Sequence, residues 1–258
     1  MKKDTPTRKI FLFFVTTPLQ KTKSFSQYNK KKDCVTYLKP VKMKKVILLF
    51  AIVLAATAAK AQFSVGADLV SRYVFRGLDY GNGAALQPTI EYSTGGFAIG
   101  AWGSYGLTAG SFTEADLYLS YGFDFGLSLG LTDYYYPGTD WTNFEDKNSA
   151  HAIEFNLGYE TGGLSLAGNY MLNNSEDNAG AENGTKYFEA GYSFDNLDIF
   201  IGAGDGWHSM SGDFEVVNIG IGTSKEIKFS ESFSLPVFGQ AIVNPNTEQF
   251  HIVVGLSL

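Results

Sequence analysis

The last nine residues, Phe250 to Leu258, alternate without a break up to the terminal carboxylate. Phe250, Ile252, Val254, Leu256 and Leu258 fall on one side, and His251, Val253, Gly255 and Ser257 on the other. A period of two marks a β-strand with one apolar face. Chain ends normally fray into water, so an apolar residue at the very end of a strand has to be held by a partner. Pairing the last strand with the first supplies that partner and removes both sheet edges. In an outer-membrane barrel it also turns the apolar face to lipid. The stretch therefore predicts an all-β chain, an antiparallel up-and-down transmembrane β-barrel of about 12 strands.

The rest of the chain supplies the other strands. The first is expected over Phe63 to Arg76, with Phe63, Val65, Ala67, Leu69, Tyr73 and Phe75 outward and Ser64, Gly66, Asp68, Arg72 and Arg76 inward. Further alternating runs are expected at 84–93, 97–107, 112–121, 125–136, 150–160, 164–172, 185–194, 197–204, 215–223 and 233–243. Pro88 has no N–H for a ladder, which predicts a bulge in the second of these strands. Long connections (77–83, 137–149, 173–184, 205–214) alternate with tight ones (95–96, 161–163, 195–196), as extracellular loops alternate with periplasmic turns. The connections 108–111 and 224–232 break that rhythm. An even strand number places both termini of the barrel chain in the periplasm.

Charge separates the barrel from what precedes it. Residues 1–42 carry eleven Lys and Arg against Asp4 and Asp33, with no periodicity; they are expected to be an extension upstream of the true start or one that is removed. From Met43 the chain reads Met-Lys-Lys, then an apolar run Val46 to Ala58, then Ala59-Lys60-Ala61 before Gln62. That is a secretory signal segment over 43–61, and its run falls short of the roughly 20 residues a membrane helix needs. We expect terminal sequencing of membrane-extracted protein to read from Gln62; a membrane-extracted chain still carrying residues 1–42 rules this out.

Residues 62–258 then hold six basic residues against 24 acidic ones, a formal net of −18. Soluble β-proteins guard their faces and edges with Lys, and four Lys in 197 residues cannot do that. The only cysteine, Cys34, precedes this region, so the barrel has no disulfide and no thiol chemistry.

Ser71-Arg72-Tyr73-Val74-Phe75-Arg76-Gly77, Gly81-Asn82-Gly83, Gly95-Gly96-Phe97 and the closing Val253-Val254-Gly255-Leu256-Ser257-Leu258 together resemble the TorF-family porins, small outer-membrane proteins of bacteria with two membranes. The likeness runs over most of 62–258. It implies an outer-membrane barrel and carries over no catalytic residue. One departure is the final residue, Leu258 where many outer-membrane barrels end in Phe.

Nothing reads as a phosphate-binding glycine loop, a paired-cysteine metal site or a zinc-protease helix. No catalytic residue, metal or cofactor is expected, and no nucleic-acid partner. The expected partners are outer-membrane lipid, the barrel assembly machinery acting on Phe250 to Leu258, and small solutes or ions. Three minor alternatives are calcium held by the acidic stretch 173–184, a hydrolase using His208-Ser209 and His151, and a sugar platform of Trp102, Trp141, Trp207 and Tyr134 to Tyr136.

The inward charges carry the functional expectation. Arg72 and Arg76 are expected to face Glu114, Asp116 and Glu154 across the upper lumen as a constriction, with Asp68, Glu91, Glu160, Glu189 and Asp198 as further inward acids. Twelve tilted strands enclose a backbone diameter of about 23 Å and leave about 10 Å inside the side chains. The leading reading is a narrow, cation-preferring channel. The competing reading is a non-conducting barrel that presents surface loops. In that case the two arginines are neutralised by carboxylates in a salt-bridged plug.

Overall fold

Twelve antiparallel strands, each paired with its sequence neighbours, close into a barrel. The computed structural model describes residues 62–81, 83–231 and 233–258; the expected extension 1–42 and signal segment 43–61 lie outside the described residues. In chain order the strands are β1 (Gln62–Val70), β2 (Val74–Phe75), β3 (Leu78–Asp79), β4 (Ala85–Thr94), β5 (Phe97–Gly106), β6 (Thr113–Gly122), β7 (Leu127–Tyr135), β8 (His151–Thr161), β9 (Leu164–Met171), β10 (Lys186–Ser193), β11 (Asp198–Gly204), β12 (Glu215–Lys228), β13 (Ser234–Asn244) and β14 (Gln249–Ser257). All but β2 and β3 belong to the barrel; those two form a separate small hairpin.

The seam between β1 and β14 is short. Its ladder runs from Asp68↔Ser257 to Val70↔Gly255. Leu258 and Ala67 extend it with two backbone bonds, and the Ser71 N–H donates to the Val254 carbonyl at 2.7 Å. The last residue is thus held by the first strand, the partner that its apolar alternation required.

The register sorts every strand into two faces. Ile90, Ile99, Leu117, Leu157, Ile201 and Val254 stand on the outside and are exposed, together with most of the other large apolar side chains. A band of exposed Leu, Ile, Val and Phe around a closed sheet inverts the burial expected in water, where such residues go inside.

Six connections lie on one rim: 71–84, 107–112, 136–150, 172–185, 205–214 and 245–248. The other rim holds the connections 95–96, 123–126, 162–163, 194–197 and 229–233, together with Gln62 and Leu258. The two connections that broke the rhythm in the sequence fall into place here. The first is a short link on the long-loop rim. The second shrinks because β12 runs on to Lys228, its ladder with β13 continuing to Lys228↔Ser234.

Two expectations are corrected. Pro88 makes no bulge: Leu86↔Tyr105 and Thr89↔Trp102 keep one register, with Pro88 at the interruption between them. The register shift lies between β11 and β12, where Gly202↔Asn218 is followed by Ala203↔Val216 and Val217 is the extra residue. The second correction is larger. The first strand ends at Val70, not Arg76, so Arg72 and Arg76 are not on the wall at all. After Ser71 the chain bends into the barrel and makes the β2–β3 hairpin, with Val74↔Asp79 and Phe75↔Leu78 paired. Its turn is Arg76-Gly77 with φ of 47° and 83°, the doubly left-handed two-residue turn whose twist suits a tight hairpin. Tyr73 and Phe75, expected on the apolar outside, are buried in the lumen.

Candidate functional site

The hairpin crosses the upper lumen, and three contacts tie it to the walls. At its tip Arg76 meets Glu154 of β8 in a two-pronged ion pair, Nη1 to Oε1 and Nη2 to Oε2, each 2.9 Å. Glu154 also accepts from the Tyr134 hydroxyl at 3.0 Å and from the Asn156 amide at 2.8 Å, so four donors surround one carboxylate. The Arg76 guanidinium lies 4.4 Å from the Tyr187 ring centre and 4.5 Å from that of Phe75. Burial by itself lowers the pKa of Arg76, but the facing Glu154 carboxylate holds it above its ordinary value and the group stays charged.

The second contact is at Gly77, whose carbonyl accepts from the Asn244 amide at 3.2 Å. A Cβ here would stand 2.0 Å from the Val217 carbonyl oxygen. Both the positive φ and this close approach restrict the position to glycine. The third contact is Tyr73, which donates to Glu114 of β6 at 3.0 Å. It packs beside Trp102, Tyr80 and Phe112 at ring separations of 5.6, 6.1 and 6.5 Å. Burial, then the Glu114 and Asp116 charges, push the Tyr73 phenol pKa up, so it acts as a donor.

His208 joins the hairpin to another loop. It sits in the short 3-10 turn Gly206–His208 and is fully buried. Its Nε2 lies 3.2 Å from Arg76 Nη1 and accepts from Trp207 Nε1 at 2.9 Å. Both neighbours are donors, so Nε2 is unprotonated and the proton of the neutral ring is on Nδ1. Burial first, then the Arg76 charge, hold the pKa of His208 well below its ordinary value.

The sequence-derived residues distribute as follows. Glu114, Asp116 and Glu154 face inward in the upper half and are almost completely buried under the hairpin. Asp68, Glu91, Glu160, Glu189 and Asp198 share the inward alternation. Glu91 accepts from the Tyr118 hydroxyl at 3.0 Å, and Glu189 accepts from the Tyr187 hydroxyl and, at 2.9 Å, from the Asn218 amide. Glu160 and Asp198 lie near the rim of short turns. Arg72 is a correction. It pairs with Asp79 inside its own hairpin, with a half-exposed side chain, and does not reach the opposite wall. The open row of cations facing carboxylates is therefore replaced by a single buried pair, Arg76–Glu154, at the point of a plug.

The other constellations come apart. His151 is on the outer face, its Nδ1 2.9 Å from Asp133 and its Nε2 2.8 Å from the Trp141 carbonyl, with Phe144 stacked 4.1 Å away. It is separated from His208 by the wall. Ser209 donates its hydroxyl to the Asp213 carbonyl at 2.6 Å, so it is not activated by His208. Trp102, Tyr134 and Tyr136 are inside while Trp141 is outside, so they make no common platform. Among the described residues no three of His, Cys, Asp or Glu are placed to hold a metal ion.

Tyr73 and Asn244 were missed in the sequence, and His208 was weighed there only as a base for hydrolysis and not as a partner of Arg76. Tyr73 carries no signal there because it continues the alternation of β1, and nothing in the polar loop 205–214 points His208 toward Arg76. Tyr134 and Tyr187 could have been found, since both stand on the inward alternation beside predicted acids.

Family comparison supplies one match. The family model described as a bacterial protein of unknown function, Gcw_chp, covers residues 55–237, from the upstream segment through most of the barrel. The chain belongs to the Gcw_chp family. The match takes in the hairpin, every inward acid and His208, and it stops before β14. No curated protein matches the chain.

Proposed function

We propose that the protein is an outer-membrane channel for small solutes or ions, cation-preferring, with both chain termini periplasmic, the long loops extracellular and the upper lumen closed by the hairpin in the state seen here. The TorF resemblance of the sequence supports the same reading. One observation carries it: the barrel is apolar outside, and below the hairpin its inner wall carries small, partly exposed polar residues such as Ser120, Ser128, Asn156 and Ser165 beside the larger Tyr118, Phe200 and Phe238. A barrel built only to present loops has no need of polar side chains left partly exposed on its inner wall. Filling it with packed apolar side chains is the cheaper solution, as in narrower barrels.

The lumen has an acidic field. Arg76 and Arg72 are each neutralised by a carboxylate, whereas Glu91 and Glu189 are met only by neutral hydroxyl and amide donors. Carboxylates at close range select cations. We expect planar bilayers to show rare, brief openings for the wild type and steady cation-selective current once the hairpin tip is shortened. Glu91→Gln with Glu189→Gln is expected to lower the cation-to-anion permeability ratio several-fold, read from the reversal potential across a salt gradient. Anion preference, or a ratio unmoved by both changes, sinks the selectivity. A folded barrel that stays silent without the hairpin favours the loop-presenting reading.

A further inference from the structure

We propose that His208 is an acid-sensitive latch: unprotonated, its Nε2 ties loop 205–214 to Arg76 and keeps the hairpin in the lumen, and protonation breaks the tie and lets the hairpin leave. The latch rests on the channel reading above, whose gate it regulates.

The geometry dictates the sign. Nε2 is the acceptor for two groups that only donate, the Trp207 indole N–H and the Arg76 guanidinium. A proton on Nε2 turns both hydrogen bonds into donor–donor contacts and sets a second positive charge beside Arg76 at a fully buried site. The ring cannot respond by sharing its other nitrogen, because Nδ1 is buried and has no hydrogen-bond partner.

The charged and titratable groups around the ring offer no relief. The hairpin presents Arg76, and β10 presents Tyr187, whose ring centre is 5.2 Å away. Glu154 of β8 stands beyond Arg76 with both oxygens engaged. At the base of the loop Lys186 and Asp205 pair with each other at 3.8 Å. Among the described residues no carboxylate is hydrogen-bonded to the imidazole.

Its repulsion acts on the strongest of the three ties, because Arg76 is the residue it shares with Glu154. The docked state keeps His208 neutral, so docking is undiminished above about pH 6.5 and weakens as the pH falls below that value. In the channel reading the gate is shut at neutral pH and opens in acid.

The test uses a nitroxide on Val74→Cys in a Cys34→Ser background, with the membrane-extracted protein returned to lipid vesicles. Mobility of the label is followed between about pH 7.5 and about pH 5, which bracket the ordinary imidazole value. We expect an immobile label at the upper end and a growing mobile fraction below about pH 6.5, with the mobile-to-immobile ratio rising by at most about tenfold per pH unit, the limit for one linked proton.

His208→Gln keeps an acceptor oxygen near the place of Nε2 and cannot be protonated, so its label is expected to stay immobile throughout. Trp207→Phe removes one of the two opposing donors, makes the protonated ring less costly in the docked state, and is expected to move the midpoint downward and flatten the response. A wild-type label that never loosens overturns the latch, as does a His208→Gln protein that responds like the wild type. The label reports the hairpin whether or not current flows. A hairpin that loosens in acid within a barrel that never conducts therefore rejects the channel and leaves the latch standing.

Discussion

Arg76→Ala is expected to release the hairpin at neutral pH while leaving the barrel folded. Removing one partner of a buried ion pair costs about 3–5 kcal/mol, because the other charge stays buried without compensation. Here that charge is Glu154, which keeps Tyr134 and Asn156 but loses both guanidinium contacts. The cost falls on docking and not on the barrel, since the tip of the hairpin is held by side-chain contacts and no ladder joins β2 or β3 to the wall. A loss of that size shifts the docked-to-undocked ratio by roughly 10²- to 10⁴-fold. Arg76→Met together with Glu154→Gln removes both charges, keeps an acceptor for Tyr134 and is expected to restore most of the docking. The nitroxide at Val74→Cys reads all three proteins, and bilayer conductance reads the same ranking as open probability. Equal label mobility in wild type and Arg76→Ala sinks the assignment of Arg76–Glu154 as the tie that closes the lumen.

The second large effect concerns assembly. Val254→Asp is expected to cut the yield of inserted barrel severely, and Ser257→Asp to leave it close to wild type. Both residues are on β14, but Val254 points outward and is half-exposed while Ser257 stands on the inward alternation near the rim of short turns. A carboxylate facing the hydrocarbon costs on the order of 2 kcal/mol, whereas one facing an aqueous lumen costs little. Val254 also lies at one end of the seam, bonded to Ser71. Its backbone is unchanged by the substitution, so any defect reports the outward face. Heat-modifiable mobility of the two variants in gels measures the folded fraction, and equal yields reject the membrane placement of this face.

How much could be read beforehand depends on how local the cause is. The alternation of Phe250 to Leu258, the inward positions of Glu91, Glu114, Asp116, Glu154 and Glu189, and the closure of last strand on first were all legible, because a period of two is written residue by residue and fixes both faces at once. The rims were legible for the same reason, apart from the short link 107–112 on the long-loop rim and the connection after β12, whose length depends on how far β12 stays paired with β13.

The hairpin was not legible. Tyr73 and Phe75 carry on the apolar alternation of β1, and only Arg76-Gly77 hints at a turn, so local pattern favours a longer strand. The chain leaves the wall because its tip finds partners far away in sequence: Glu154 lies 78 residues on, His208 132 and Asn244 167. For the twelve wall strands, closure and facing were therefore determined by the sequence alone, whereas residues 71–79 were not. The meaning of its charges was decided by the tertiary structure, which places a donor on each side of His208 Nε2 and turns Arg76 from a wall residue into the point of a plug.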